Sequence, residues 1–99
     1  MRVTEKHANT RGVAHGGLIA TLVDIALGYN IASATDWKIP IATVNLSTDY
    51  AGAAQVGDWL EARVDVQRVG RSVIFANAFI YVGDKRIARG SGVFSVIKG

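Results

Sequence analysis

Residues Leu18-Ile19-Ala20-Thr21-Leu22-Val23-Asp24-Ile25-Ala26-Leu27-Gly28-Tyr29 form an apolar run interrupted by one acid, and no other stretch of the 99-residue chain has its period. The spacing predicts a helix from about Gly16 to Thr35, roughly 30 Å long at 1.5 Å per residue. Leu18, Ile19, Leu22, Val23, Ile25, Ala26, Leu27 and Ile31 occupy most of its circumference, so other structure is expected to wrap it. A chain of this length makes one domain, residues 1–99, near the lower end of what a single core can fill.

Everything after the helix reads as strand: Ala42 to Tyr50, Trp59 to Val69, Ser72 to Val82 and Ile87 to Ile97. Leu60, Ala62, Val64 and Val66 alternate with Glu61, Arg63, Asp65 and Gln67, the signature of a sheet with one covered and one wet face. Breaks at Gly70-Arg71 and Gly83-Asp84 supply hairpin turns, so the last three strands form an antiparallel meander. Val73 to Val82 is apolar on both faces and is expected to be central or to lie at an interface. Residues 1 to 7 alternate loosely and suit a short edge strand, with loops at Ala8 to Ala14 and Asp36 to Pro40. The pattern is α+β: a hotdog fold, in which a long antiparallel β-sheet wraps one central α-helix.

Composition narrows the function classes. A hydrophobic share of 49% against 19% charged residues exceeds what so small a monomer can hide, which points to a buried subunit interface. Without cysteine there is no disulfide, thiolate nucleophile or cysteine-type zinc site, and two histidines alone make no metal centre. A reducing cytoplasm is the default location. The net charge of +3 gathers in the second half at Arg63, Arg68, Arg71, Lys85, Arg86, Arg89 and Lys98, which suits either an anionic, phosphate-bearing ligand or an ordinary solvated surface. No basic cluster is interleaved with stacking aromatics, so nucleic acid is not an expected partner. Arg2, Lys6 and Arg11 ahead of the apolar run imitate a signal peptide. Glu5 breaks that basic region, and Asp24 at a bilayer centre would cost about 2.5 to 3.5 kcal/mol, so neither export nor a membrane span is expected.

Polar chemistry concentrates where the loop meets the helix. Gly17, Thr21, Asp24 and Gly28 follow i, i+4, i+7, i+11 spacing and share one helix face. Two glycines there cost about 1 kcal/mol each relative to alanine, which implies close packing against that face or a ligand channel. Asp24 has no Arg or Lys within a turn to pair with, and an unpaired acid in a buried helix is costly, which favours function over a structural role.

Asn9, then His15-Gly16-Gly17 six residues on, then Asp24 nine residues after the histidine, is a pattern that resembles the acyl-CoA thioesterases of the hotdog superfamily, in their phenylacetate-degradation type. Tyr50, Gly57-Asp58, Gly70-Arg71 and the closing run Ile87-Ala88-Arg89-Gly90-Ser91-Gly92-Val93-Phe94-Ser95-Val96 extend the likeness over nearly the whole chain. Two departures stand out. Members of the family usually carry a further N-terminal segment, so pocket walls it would supply are expected to be missing or to come from elsewhere. Many also have a proline after the tyrosine, where this chain reads Tyr50-Ala51-Gly52-Ala53-Ala54.

Thioester hydrolysis builds negative charge on the carbonyl oxygen, and free N–H groups at a helix start can hold it. The Gly16 N–H is so placed, and the resemblance implies that the Asn9 side-chain amide adds a second donor. Asp24 is then the general base that activates water or the nucleophile that forms a mixed anhydride. Eight residues beyond Gly16 it sits about 12 Å along the axis, too far to act on the same carbonyl. A two-fold homodimer with antiparallel helices would bring Asp24 of one copy to Gly16 of the other, as the resemblance also implies, with a dimer of dimers as the expected assembly. His15 is expected to orient the loop, and the resemblance gives Thr43 the task of holding the attacking water. Gly17, Arg71 and Arg89 are the candidates for substrate and coenzyme A contacts, with surface arginine as the ordinary alternative for the last two. Coenzyme A is part of the substrate, and no separate cofactor is expected. The competing reading is a non-catalytic hotdog module that binds acyl-CoA as a sensor or in assembly. A hydratase is disfavoured because no acid and histidine flank an Asn-Pro or His-Pro turn.

Overall fold

The computed structural model describes residues 1–35, 37–38 and 40–97. A 3₁₀ turn (Glu5–His7) precedes the helix α1 (Gly16–Ala34), and four strands follow: β1 (Ile41–Tyr50), β2 (Leu60–Val69), β3 (Val73–Val82) and β4 (Lys85–Val96). They form one antiparallel sheet in the order β1-β4-β3-β2, so the meander is present, β3 is internal, and β1 crosses over to pair with β4.

The sheet curls over the helix, and the contact is built on a four-residue period. Ile19, Val23, Leu27 and Ile31 form one fully buried stripe and pack with Ile74, Ala76, Ala78, Ile80, Ala88 and Phe94 on the inner face of the sheet. Small residues on β4 let the helix come close. A side chain at Gly90 would run into Val23, and one at Gly92 would lie 2.8 Å from Leu27 Cδ1 and 2.6 Å from Phe94 Cε2.

That sheet covers one side of the helix only. Ile25 and Tyr29, on the other side, are 61% and 63% exposed. The all-round apolarity of α1 implied full enclosure, but four strands curl over a single stripe. A Cβ placed at Gly17 or Gly28 would meet nothing within 4 Å, so none of the described residues makes the close approach that the small-residue face implied.

Residues 1 to 7 are not a strand. Arg2 makes a single bridge to Trp59, and Val3 bonds with Asp58 and Gly57. The Thr4 N–H then donates to His7 Nδ1 at 2.9 Å, which turns the chain into the 3₁₀ segment. β4 begins at Lys85 rather than Ile87, because the tight Gly83-Asp84 turn, with Gly83 at φ +59, lets Lys85 pair at once with Val82. The loop expected at Asp36 to Pro40 includes residues 36 and 39, which lie outside the described residues.

Candidate active site

β1 carries two contacts to α1, and a β-bulge makes both possible. Thr43 and Tyr50 are seven residues apart, which in a regular strand puts them on opposite faces. Thr43 pairs with Phe94 and Asn45 with Val93, so Val44 is the extra residue of the bulge and the parity shifts by one. Tyr50 pairs with buried Ala88 as Thr43 pairs with buried Phe94, and both side chains therefore face the helix.

Near one end of β1, the Thr43 hydroxyl donates to Asp24 Oδ1 at 3.0 Å. Asp24 is half-buried, and no cation pairs with it among the described residues. Oδ2 makes no hydrogen bond there either, which leaves an acceptor for a proton or a water. Thr43 thus touches the acid itself.

At the other end, the Tyr50 hydroxyl donates to the Gly16 carbonyl at 2.6 Å, and a side chain at Gly16 would lie 3.4 Å from the tyrosine ring. His15 is the N-cap of α1. Its carbonyl accepts from Leu18 and Ile19, and its own N–H donates to His7 O at 2.9 Å. The His15 ring makes no hydrogen bond among the described residues, so His15 itself is tied to the loop through its backbone alone. The N–H groups of Gly16 and Gly17 have no partner among the described residues, as expected of a first helical turn. Asn9 Oδ1 accepts from the N–H groups of Arg11 and Val13, which holds the loop and leaves the amide Nδ2 without a partner among the described residues.

The candidates therefore fall into two groups within one chain: Asp24 with Thr43, and Asn9, His15, Gly16 and Gly17 with Tyr50. Arg71 and Arg89 join neither. Arg71 is exposed in the β2–β3 turn. Arg89 lies between buried Ala88 and Gly90, so it points to the outer face of the sheet, where its Nε donates to Asp49 Oδ2 at 3.0 Å. Among the described residues, no three His, Asp or Glu side chains cluster as a metal site. Tyr50 was visible in the sequence only as part of a likeness. Its contact with Gly16 depends on a bulge that Thr43-Val44-Asn45 does not announce.

An α+β hotdog fold with a histidine-glycine helix start and an acid in mid-helix defines a class of protein, and its known members resemble this chain. The family described as "Thioesterase superfamily" matches residues 11–88, and the chain belongs to that superfamily. It is 45% identical over 94 residues to the Pseudomonas aeruginosa protein named "Putative esterase PA0474", covering 95% of this chain and 70% of that one. It is 31% identical over 77 residues to mouse acyl-coenzyme A thioesterase 13, covering 78% of this chain. The chain spans 54% of that thioesterase's length. Zebrafish thioesterase superfamily member 2 superposes with a TM-score of 0.91 at 30% identity, over 98% of this chain and 71% of the other.

Proposed function

We propose that the chain hydrolyses an acyl- or aryl-CoA thioester to the free acid and coenzyme A, at a site that two copies build together. The observation that carries this reading is the Thr43–Asp24 pair: a carboxylate held by a neutral hydroxyl, with no cation paired to it and one oxygen without a partner among the described residues. That is a carboxylate kept ready to take a proton or to attack a carbonyl.

In the general-base form, water oxygen bonds to the thioester carbon while Asp24 takes the water proton. The carbonyl π electrons move to oxygen, and the Gly16 N–H and the Asn9 amide donate hydrogen bonds to the oxyanion so formed. Collapse of the tetrahedral intermediate breaks the C–S bond, and the coenzyme A thiolate leaves with a proton returned from Asp24. In the nucleophilic form Asp24 attacks directly, coenzyme A leaves, and water hydrolyses the mixed anhydride.

Three features favour a shared site. Gly16 and Asp24 are about 12 Å apart along α1. The described residues of a single chain enclose no pocket. Among the described residues β1 pairs only with β4, and nothing covers its other edge or the apolar side of α1. An antiparallel β1–β1 pairing with its two-fold axis between Leu46 and Ser47 would set Thr43 opposite the partner subunit's Tyr50. Each Asp24 would then approach the other copy's helix start, giving two equivalent sites.

The test is turnover of short, medium and aryl acyl-CoA thioesters by the native chain and by Asp24→Asn. The expected result is hydrolysis by the native chain and a loss of a hundredfold or more in kcat for the variant, with an unchanged oligomer. Binding of acyl-CoA without turnover by either protein would instead establish the non-catalytic module.

A further inference from the structure

We propose that Tyr50 is a positioning residue for the oxyanion donor at the Gly16 N–H, acting through the α-carbon and carbonyl of Gly16; this rests on the thioesterase reading above. A trans peptide is planar, so the Gly16 carbonyl and the Gly17 N–H are opposite ends of one rigid plate. The Tyr50 hydroxyl grips the carbonyl end at 2.6 Å. Its ring lies flush with Gly16, close enough that a Cβ there would come within 3.4 Å of both Cζ and the hydroxyl oxygen. Ring and hydroxyl together hold Gly16 at its α-carbon and its carbonyl, and the Gly16 N–H is carried on that same α-carbon. The Gly17 N–H, at the far end, is aimed away from the strand and has no partner among the described residues.

Such restraint is needed here more than at an ordinary helix start. The first turn begins with two glycines, which have the widest backbone freedom of any residue, and the N-cap His15 provides no side-chain hydrogen bond to stiffen it. Donors to an oxyanion are effective when they are already aimed and need no reorganisation as charge develops. Tyr50 is itself anchored from outside the site. It pairs with Ala88 on β4, and the next two residues, Ala51 and Gly52, both donate to Ile87 O, at 2.8 and 3.0 Å. The tyrosine thereby transmits the rigidity of the sheet to Gly16 and, across the peptide, to the Gly17 N–H. It touches neither water nor thioester in this scheme and is not a catalytic group.

Tyr50→Phe keeps the ring and removes only the hydroxyl. With native protein and Asp24→Asn assayed alongside on acetyl-CoA and benzoyl-CoA, the expected result is a kcat about tenfold below native with KM within twofold. This is milder than the hundredfold or more that follows loss of an oxyanion donor itself. The second measurement is the carbonyl stretching frequency of benzoyl-CoA bound to Asp24→Asn, with and without Tyr50→Phe. A properly aimed donor pair lowers that frequency, and removing the hydroxyl should return it toward the value for free benzoyl-CoA. A purely structural strut would lower the melting temperature but leave the carbonyl frequency of the bound thioester unmoved, and that outcome overturns the proposal. So does native kcat in Tyr50→Phe, or an effect confined to KM, while Asp24→Asn is inactive. If the native chain turns over neither thioester, it is the thioesterase reading that fails, and this proposal with it.

Discussion

Thr43 and Asp24, nineteen residues apart, meet through a 3.0 Å hydrogen bond in which the hydroxyl donates and the carboxylate accepts. The bond ties the middle of α1 to the start of β1 and fixes one rotamer of an acid that has no ion-pair partner among the described residues. Hydrogen bonds to a charged group contribute about 1.5 to 3 kcal/mol, enough to hold the carboxylate in place.

Thr43→Val keeps the shape of the side chain and removes the donor. The expected outcome is a fall in kcat of roughly tenfold with a small change in KM, because an unheld Asp24 samples unproductive orientations. Thr43→Ser restores the hydroxyl and should recover most of the activity. Steady-state kinetics of the two variants on one acyl-CoA decide the matter: equal activities for Val and Ser would mean that the bond has no catalytic role.

Much of this arrangement is legible in the chain itself. The alternation of Leu60 to Gln67 gave the inner and outer faces of β2 correctly, and the glycine breaks gave both hairpins, because burial and turn chemistry are local properties. The reach of the helix was legible too, from Gly16 to within one residue of its end. What the pattern could not supply was non-local. Val44 gives no sign of being a bulge, yet the bulge alone puts Thr43 and Tyr50 on one face. Thr4 and His7 look like ordinary members of a loosely alternating strand until their side-chain bond turns the chain. The helix is apolar all round whether its own sheet or a second molecule covers it, so periodicity could not tell one covered side from two.

Gly90 offers a test of the packing that positions Asp24. A Cβ at that position would collide with Val23, the residue before the acid, which is fully buried. Gly90→Ala should therefore push α1 away from β4 and cost about 1 to 3 kcal/mol, as overpacking of a filled core does. For a domain of this size that lowers the melting temperature by roughly 4 to 8 °C per kcal/mol. Shaving the opposing side chain in the double variant Gly90→Ala with Val23→Ala removes the collision and should recover part of the loss. Thermal denaturation of the two single variants and the double variant checks it, with strict additivity as the contrary result.

The division of the candidates into an Asp24–Thr43 group and a Gly16–Asn9 group predicts complementation between two defective chains. Asp24→Asn lacks the base. Asn9→Asp keeps the Oδ1 that accepts from Arg11 and Val13, so the loop survives, but it replaces an amide donor with a carboxylate that repels the oxyanion. If each site takes its base from one copy and its donors from the other, a mixed dimer holds one intact site and one doubly defective site. Equal amounts of the two chains, allowed to exchange, form mixed dimers half the time, so activity should rise to about a quarter of native, well above either variant alone. A site contained in one chain gives no such gain, because every chain in the mixture would carry one defect. Activity of the exchanged mixture equal to the mean of the two variants would place the whole reaction within a single protomer.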